Sequence, residues 1–464
     1  MNRVVAYGYR SFEVKSLGGV DEWDFDRVEI RKIRYPHEKK QIPEMVSLGF
    51  HVEGVCLPHV DTRDPDTLRD GVCFRMGKIM PVREEGTLKS IRKTTLDWLS
   101  QNFVPLPNNS DTTFETWING TTYSLSRKEE LRQIYEEVIH PLERKSNGYL
   151  KHFIIKLFAK DEAYVEFKHA RGIYARDDVA KVFFGPWFKL IENELYKNPT
   201  FIKHVPVADR AEYIYKRLYR DGCVYVQTDY SSYEAHFDAD LMSNCEFLLY
   251  EHALSGVYGS RVVLDIMKEV IQGDNRIYNR FLTCMVQASR MSGEMNTSLG
   301  NGFSNYMMML NQCNKLDVEC VGVVEGDDGL FVFEPKRRPS TEDFTRAGCI
   351  IKLEVFDKIS HASFCGLLFD EVDQQVVADV RKIVASLGWS TKQYTGASKK
   401  THLTLLRCKA MSTIVQYPAC PIVAAMARAV IRNTKHLNVS RLLDHLDADI
   451  YTMDKYKYGL HNFK

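Results

Sequence analysis

No stretch of this chain is long and unbroken enough in apolar residues to cross a bilayer as a helix. The most apolar run, residues 414–431 (IVQYPACPIVAAMARAVI), is broken by Pro418, Pro421 and Arg428 and reads as a packed helix. The opening residues, MNRVVAYGYRSFEV, lack the apolar core of a secretory signal. An excess of one charge is missing too: 62 Lys and Arg against 61 Asp and Glu leave a formal net charge of +1. That excludes a coat for polyanions, so any nucleic-acid site has to be a local basic channel. The 11 cysteines contain no Cys-x-x-Cys, and Cys245, Cys284, Cys320 and Cys349 sit among apolar residues. This is the pattern of buried free thiols in a reducing compartment. His51, Cys56, His59 and Cys73 form a cluster whose spacing fits no familiar zinc pattern. Internal repeats and low-complexity tracts are absent.

What is present is ordinary globular material: 464 residues, 44% hydrophobic and 27% charged. That is enough for two or three subdomains or one multi-lobed fold. Residues 1–120 read as short strands and loops. Ser126-x-x-Glu129 is a capping box, followed by apolar residues at helical spacing up to Pro141. Residues 223–228 (CVYVQT) predict a buried strand, and Asp240 a cap for a helix running to about Gly256. A helix is expected over 296–311, a hairpin over 318–334, and mainly helices after about 370. Without a steady βαβ alternation the fold class is α+β.

The chemistry concentrates in three places. At the hairpin tip, Glu325-Gly326-Asp327-Asp328-Gly329 sets two like charges side by side, which a bound cation would justify. In VQTDYSSYEAHFD (226–238), Asp229 ends a strand and the turn after it brings Glu234 back. Were this strand beside the hairpin, Asp229, Asp327 and Asp328 would converge, and three carboxylates can hold two Mg²⁺ ions about 4 Å apart. In RMSGEMNTSLGNGFSN (290–305), Thr297, Asn301 and Asn305 share one helix face, suited to a sugar hydroxyl. Gly300 and Gly302 would each cost such a helix about 1 kcal/mol, which favours a close approach there. Each feature alone has a structural use: Asp caps helices and forms turns, and small residues pack helices onto sheets.

Together they resemble a family. Asp229-x4-Glu234, Ser292-Gly293-x3-Thr297-x3-Asn301 and Gly326-Asp327-Asp328 stand in the order of motifs A, B and C of viral RNA-directed RNA polymerases, and MSGEMNTSLGN resembles the tombusvirus-like segment. Gly348-x3-Lys352 resembles motif D, Ser363-Phe364-Cys365 motif E, and Lys160-Asp161-Glu162 with Arg171 to Arg176 motif F. The resemblance covers about 156–370.

It implies a right hand whose antiparallel-sheet palm carries the hairpin. Residues 1–222 would be fingers, 223–240 palm, 241–289 a fingers/palm insertion, 290–370 palm and 371–464 thumb. Asp229, Asp327 and Asp328 would hold two Mg²⁺ or Mn²⁺ ions, and Lys352 would protonate the departing pyrophosphate. Lys160, Arg171 and Arg176 would hold the triphosphate. Glu234, Ser292, Thr297 and Asn301 would read the ribose. The family usually has Asp where Glu234 stands, so Asp238 is the alternative.

The implied partners are an RNA template and product and ribonucleoside triphosphates; tethering of this span-less chain to membranes in the host cytoplasm would fall to another viral or host protein or to a missing segment. Competing readings are a metal-dependent nuclease and a non-catalytic polymerase-like RNA-binding scaffold. A reverse transcriptase would share the acids, but the Ser-Gly-x3-Thr-x3-Asn pattern argues against it.

Overall fold

The computed structural model describes residues 23–36, 45–50, 60–139, 153–160, 162, 168–377, 379–391, 394–418 and 420–439, with two short strands at 2–4 and 12–14. His51, Cys56 and His59 lie outside the described residues; Cys73 is buried.

The centre is a four-stranded antiparallel sheet. In chain order the elements that matter are β1 (Val28–Ile33), α1 (Thr87–Asn102), β2 (Ile155–Ala159), β3 (Gly172–Arg176), α2 (Asp178–Leu195), α3 (Arg210–Leu218), β4 (Val224–Tyr230) and α4 (Glu246–Leu254). They continue with β5 (Asn275–Tyr278), β6 (Leu282–Val286), α5 (Thr297–Leu316), β7 (Val321–Glu325), β8 (Asp328–Phe333), β9 (Ile351–Phe356), α6 (Lys399–Gln416) and α7 (Pro421–Asn433). The central sheet runs β7-β8-β4-β9.

Strands β7, β8 and β4 are largely buried on both faces, and their side chains alternate between two cores as the pleat requires. Val224 and Val226 of β4, with Phe331 and Phe333 of β8, join Phe303 and Met307 of α5 in one core. Tyr225, Val323, Leu330 and Val332 join Ile214 and Leu218 of α3 in the other. A second sheet, in the order β1-β6-β5-β2-β3, is antiparallel except for the parallel β2–β5 pair. Beyond β9, strands Ser363–Phe364 and Leu367–Phe369 pair, and α6 packs with α7 around Leu405, Leu406, Ala424 and Ala427.

Several local expectations move. The hairpin, the mixed α+β class and the buried strand before Asp229 are present, although β4 continues through Asp229 to Tyr230. Helix 125–134 is capped by Ser124, not Ser126: the Ser124 side chain accepts from Arg127 N–H. Asp238, not Asp240, caps the next helix, through a 2.8 Å bond from Leu241 N–H. In both cases the earlier polar residue stands where the chain is still extended, and a cap is set by backbone angle as much as by side chain. The apolar run at 414–431 straddles α6 and α7, and no helix among the described residues is long and apolar enough to cross a membrane.

Candidate active site

The sheet order puts the acidic segments side by side. β8 pairs with β4 as far as Gly329 opposite Thr228, so one step further along the same register Asp328 faces Asp229. On the other edge of β4, Lys352 is the direct cross-strand partner of Asp229. Asp327 occupies the β7–β8 turn with Gly326, whose φ of +62° suits glycine. Asn305 on α5 holds that turn: its Nδ2 donates to the carbonyl oxygens of Gly326, Asp327 and Asp328 at 3.1 to 3.2 Å. On the far side Glu325 pairs with the buried Arg210 at 2.6 Å.

The electrostatics show how tightly the acids are gathered. Burial raises the Asp327 pKa; the Glu234 and Asp229 charges add to this and Arg171 opposes it. Burial and then the charge of Asp327 push Asp328 up to about 6, against a hydrogen bond from the Cys365 thiol. Among the described residues no three His, Cys, Asp or Glu side chains close into a ready-made metal cage. The donor set itself fits a hard divalent cation: carboxylate oxygens, partly desolvated and mutually repelling, are relieved by positive charge.

The loop before α5 is clamped to β3. Ser292 Oγ accepts from Tyr174 N–H at 3.2 Å and donates to Gly172 O at 3.1 Å, while Gly293 N–H donates to Tyr174 O at 3.0 Å. Thr297 Oγ1 donates to Met291 O at 2.8 Å and accepts from Glu294 N–H at 3.0 Å. Ser292 and Thr297 therefore spend their hydroxyls on loop shape. Asn301 Oδ1 is buried with no hydrogen-bond partner in the structure.

Arg176 is engaged inside the protein: its guanidinium is buried and bonded to Glu294, to Phe153 O at 3.0 Å and to Asn275 Oδ1 at 2.7 Å, where it braces the loop. Arg171 and Lys160 stay partly exposed, both paired with Glu162, at 2.6 and 3.3 Å. Lys352 is exposed, and its hydrogen bond to Glu354 at 2.6 Å raises its pKa. Asp238 is taken up by its cap and by Arg83 at 2.5 Å.

Gly300 has a reason that the residue pattern could not show. A Cβ there would run into Glu246 Oε2 and would lie 2.7 Å from Arg290 Nη2. Glu246 and Arg290 form an ion pair with both side chains fully buried, joined by Tyr250, whose hydroxyl donates to Glu246 at 3.2 Å. The glycine makes room for this pair, and Gly302 faces the turn, where a Cβ would lie 3.5 Å from Gly326 N.

Residues 182–386, which contain every acidic strand just described, match the family described as viral RNA dependent RNA polymerase. The match takes in a little under half of the chain. An RNA-directed RNA polymerase of Panicum mosaic virus (strain United States/Kansas 109S) is 28% identical over 175 residues. That match takes in 35% of this chain and 17% of the relative, so the chain spans well under a fifth of the relative's length. The matched segment includes the residues that resemble motifs A to E, and Lys160, Arg171 and Arg176, which resemble motif F, lie ahead of it.

The sequence pattern alone did not point to Asn305 as the clamp of the Gly-Asp-Asp turn, although its face was visible. Nor did it point to Arg75, whose Nη2 lies 3.5 Å from Glu234 Oε2, or to Lys78, which donates to Ser231 Oγ at 2.7 Å. These two come from a stretch more than 150 residues away, with no local signal.

Proposed function

We propose that the chain is a template-directed RNA polymerase that adds ribonucleotides to an RNA 3′-end and releases pyrophosphate, copying a viral RNA genome. The observation that carries this reading is the register of the central sheet, which sets Asp229 against Asp328 and beside the Asp327 turn. The family match over the same strands supports it.

The primer 3′-hydroxyl attacks the α-phosphate of the incoming nucleotide, and positioning with charge neutralisation lowers the barrier. Asp229, Asp327 and Asp328 are the residues that would hold two Mg²⁺ or Mn²⁺ ions, which when bound supply activation of the attacking oxygen and neutralisation of the leaving group. Arg171 and Lys160 hold the triphosphate; their exposed pairing with Glu162 is weak and exchangeable. Lys352, charged and next to Asp229, gives its proton to the pyrophosphate. Glu234 and Asn301 face the ribose, and Asn305 holds the turn. Ser292, Thr297 and Arg176 keep the loop in place.

Residues 223–240 and 290–370 form the palm, 1–222 the fingers, 241–289 a fingers/palm insertion, and 371–464 the thumb. The division of strands supports this: the central sheet draws on the palm segments alone, and the second sheet on the fingers and the insertion. RNA, ribonucleoside triphosphates and a membrane-tethering protein partner in the host cytoplasm complete the reading.

With an RNA template, labelled ribonucleotides and Mg²⁺ or Mn²⁺, the protein is expected to make labelled RNA, and Asp327→Ala none, at unchanged secondary structure. Normal primer extension by that variant would sink the assignment. Shortened RNA would point to a nuclease, and a gel shift alone to a scaffold. Deoxynucleotides in the same assay test for reverse transcription.

A further inference from the structure

We infer that Arg75 is a specificity-determining residue: by holding the Glu234 carboxylate it sets that group where a ribose hydroxyl is read, and so favours ribonucleotides over deoxyribonucleotides. This rests on the polymerase reading above and extends it to a region for which no motif speaks.

Four observations meet here. Arg75 lies on the short π-helix Val72–Met76, an element that is rare and often found at functional sites. Its guanidinium and the Glu234 carboxylate are 3.5 Å apart, with side chains only 18% and 17% exposed. A partly desolvated pair of this kind holds its geometry better than a surface pair. The backbone around Glu234 is fixed independently: Ser289 Oγ donates to Glu234 O at 2.9 Å, and Arg27 binds the carbonyls of Ala235 and Phe237. What Arg75 adds is therefore the direction of the carboxylate, not the position of the turn. Finally, Tyr233 donates its hydroxyl to Asn301 O at 3.1 Å, which ties this turn to the helix carrying the unpartnered Asn301 Oδ1.

Glu234 and Asn301 thus offer two acceptors next to the Asp327 turn, and a sugar hydroxyl is a donor for either. The extra methylene of Glu over Asp has a physical use. It carries the carboxylate towards a guanidinium supplied by the N-terminal segment. A site built to bond a hydroxyl rejects analogues that lack it far more strongly than an apolar pocket could.

The test measures single-nucleotide incorporation with ATP and dATP, and with UTP and dTTP, on a primed RNA template with Mg²⁺. The quantity read is the ratio of kcat/KM for the ribo- over the deoxyribonucleotide. Arg75→Gln is expected to lower this ratio about tenfold, Arg75→Lys less, and Glu234→Gln by as much as Arg75→Gln. The double variant Arg75→Gln/Glu234→Gln is expected to fall no further than either single one, because the two residues act as a unit. Equal losses on both sugars would show a purely structural pair or a triphosphate contact, and would overturn the proposal, as would an unchanged ratio. Should Arg75→Gln not fold, Arg75→Lys and Glu234→Gln decide by the same ratio. Wild-type protein that makes no RNA would remove the polymerase reading itself, whereas active protein with unaltered selectivity in the variants removes only the role of Arg75.

Discussion

At the scale of single residues, side chains other than the acids organise the candidate site. Asn305 is the clearest case. One amide group donates to three successive carbonyls of the Gly-Asp-Asp turn, so the direction of the Asp327 and Asp328 side chains depends on it. Asn305→Ala would leave those part-buried carbonyls short of a donor, at a cost of about 1–3 kcal/mol. It would also let the turn shift by a fraction of an ångström. Such misplacement reduces rate more than binding. The expected outcome is a fall in kcat of about 100-fold with a smaller change in KM, read by single-nucleotide incorporation. An equal loss in both, or none, would show that the turn holds itself. Asn305 lies on the helix face visible in the sequence, but its partner turn is some twenty residues downstream and had to be brought back by folding.

At the scale of elements, strand β9 and the turn after β4 are joined by a histidine. His236 Nε2 accepts from Ile350 N–H at 3.0 Å, while Nδ1 faces the carbonyls of Ser232 and Tyr233 at 3.3 and 3.2 Å. The ring is therefore neutral with its proton on Nδ1. Burial lowers its pKa from 6.5 to about 4, against those two carbonyl bonds. The sign follows from proton counts: between pH 6.5 and 4 the unfolded chain binds the extra proton and the folded chain does not. Stability is thus lost as pH falls through that window, by on the order of 3 kcal/mol in full. Urea unfolding at pH 7 and pH 4.5 is expected to show the loss, and His236→Gln to show a shallower pH dependence. An equally steep acid limb in the variant would place the effect elsewhere.

At the scale of the whole molecule, both cores of the central sheet are closed by apolar side chains on each face, and the carboxylates stand beyond them at one end. The acids gain nothing for folding from being together; burial and mutual repulsion raise the Asp327 and Asp328 pKa values. Divalent cations held there would serve the site and not the fold, unlike structural zinc. Chelation with EDTA is expected to stop RNA synthesis at once and to lower the melting temperature by no more than about 2 °C, with activity restored by Mg²⁺ or Mn²⁺. Global unfolding on chelation would show that metal helps close the core.

The chain order of the acidic, glycine and lysine signatures, the strands of the hairpin and the α+β class were all readable from residue types, because each is a local pattern of burial and turn chemistry. The pairing of β4 between β8 and β9 was not, since strand order is decided by which apolar faces cover each other across more than a hundred residues. The same applies to the roles of Arg176 and Gly300. Arg176 drew notice through the motif F resemblance and Gly300 through its cost in a helix, and in the structure both serve buried ion pairs whose partners, Glu294 and Glu246, come from other elements. Arg75 had no local signal at all. A sequence records which side chains exist and how they alternate; only the packed chain decides which charge stands opposite which, because that choice depends on burial and distance in space.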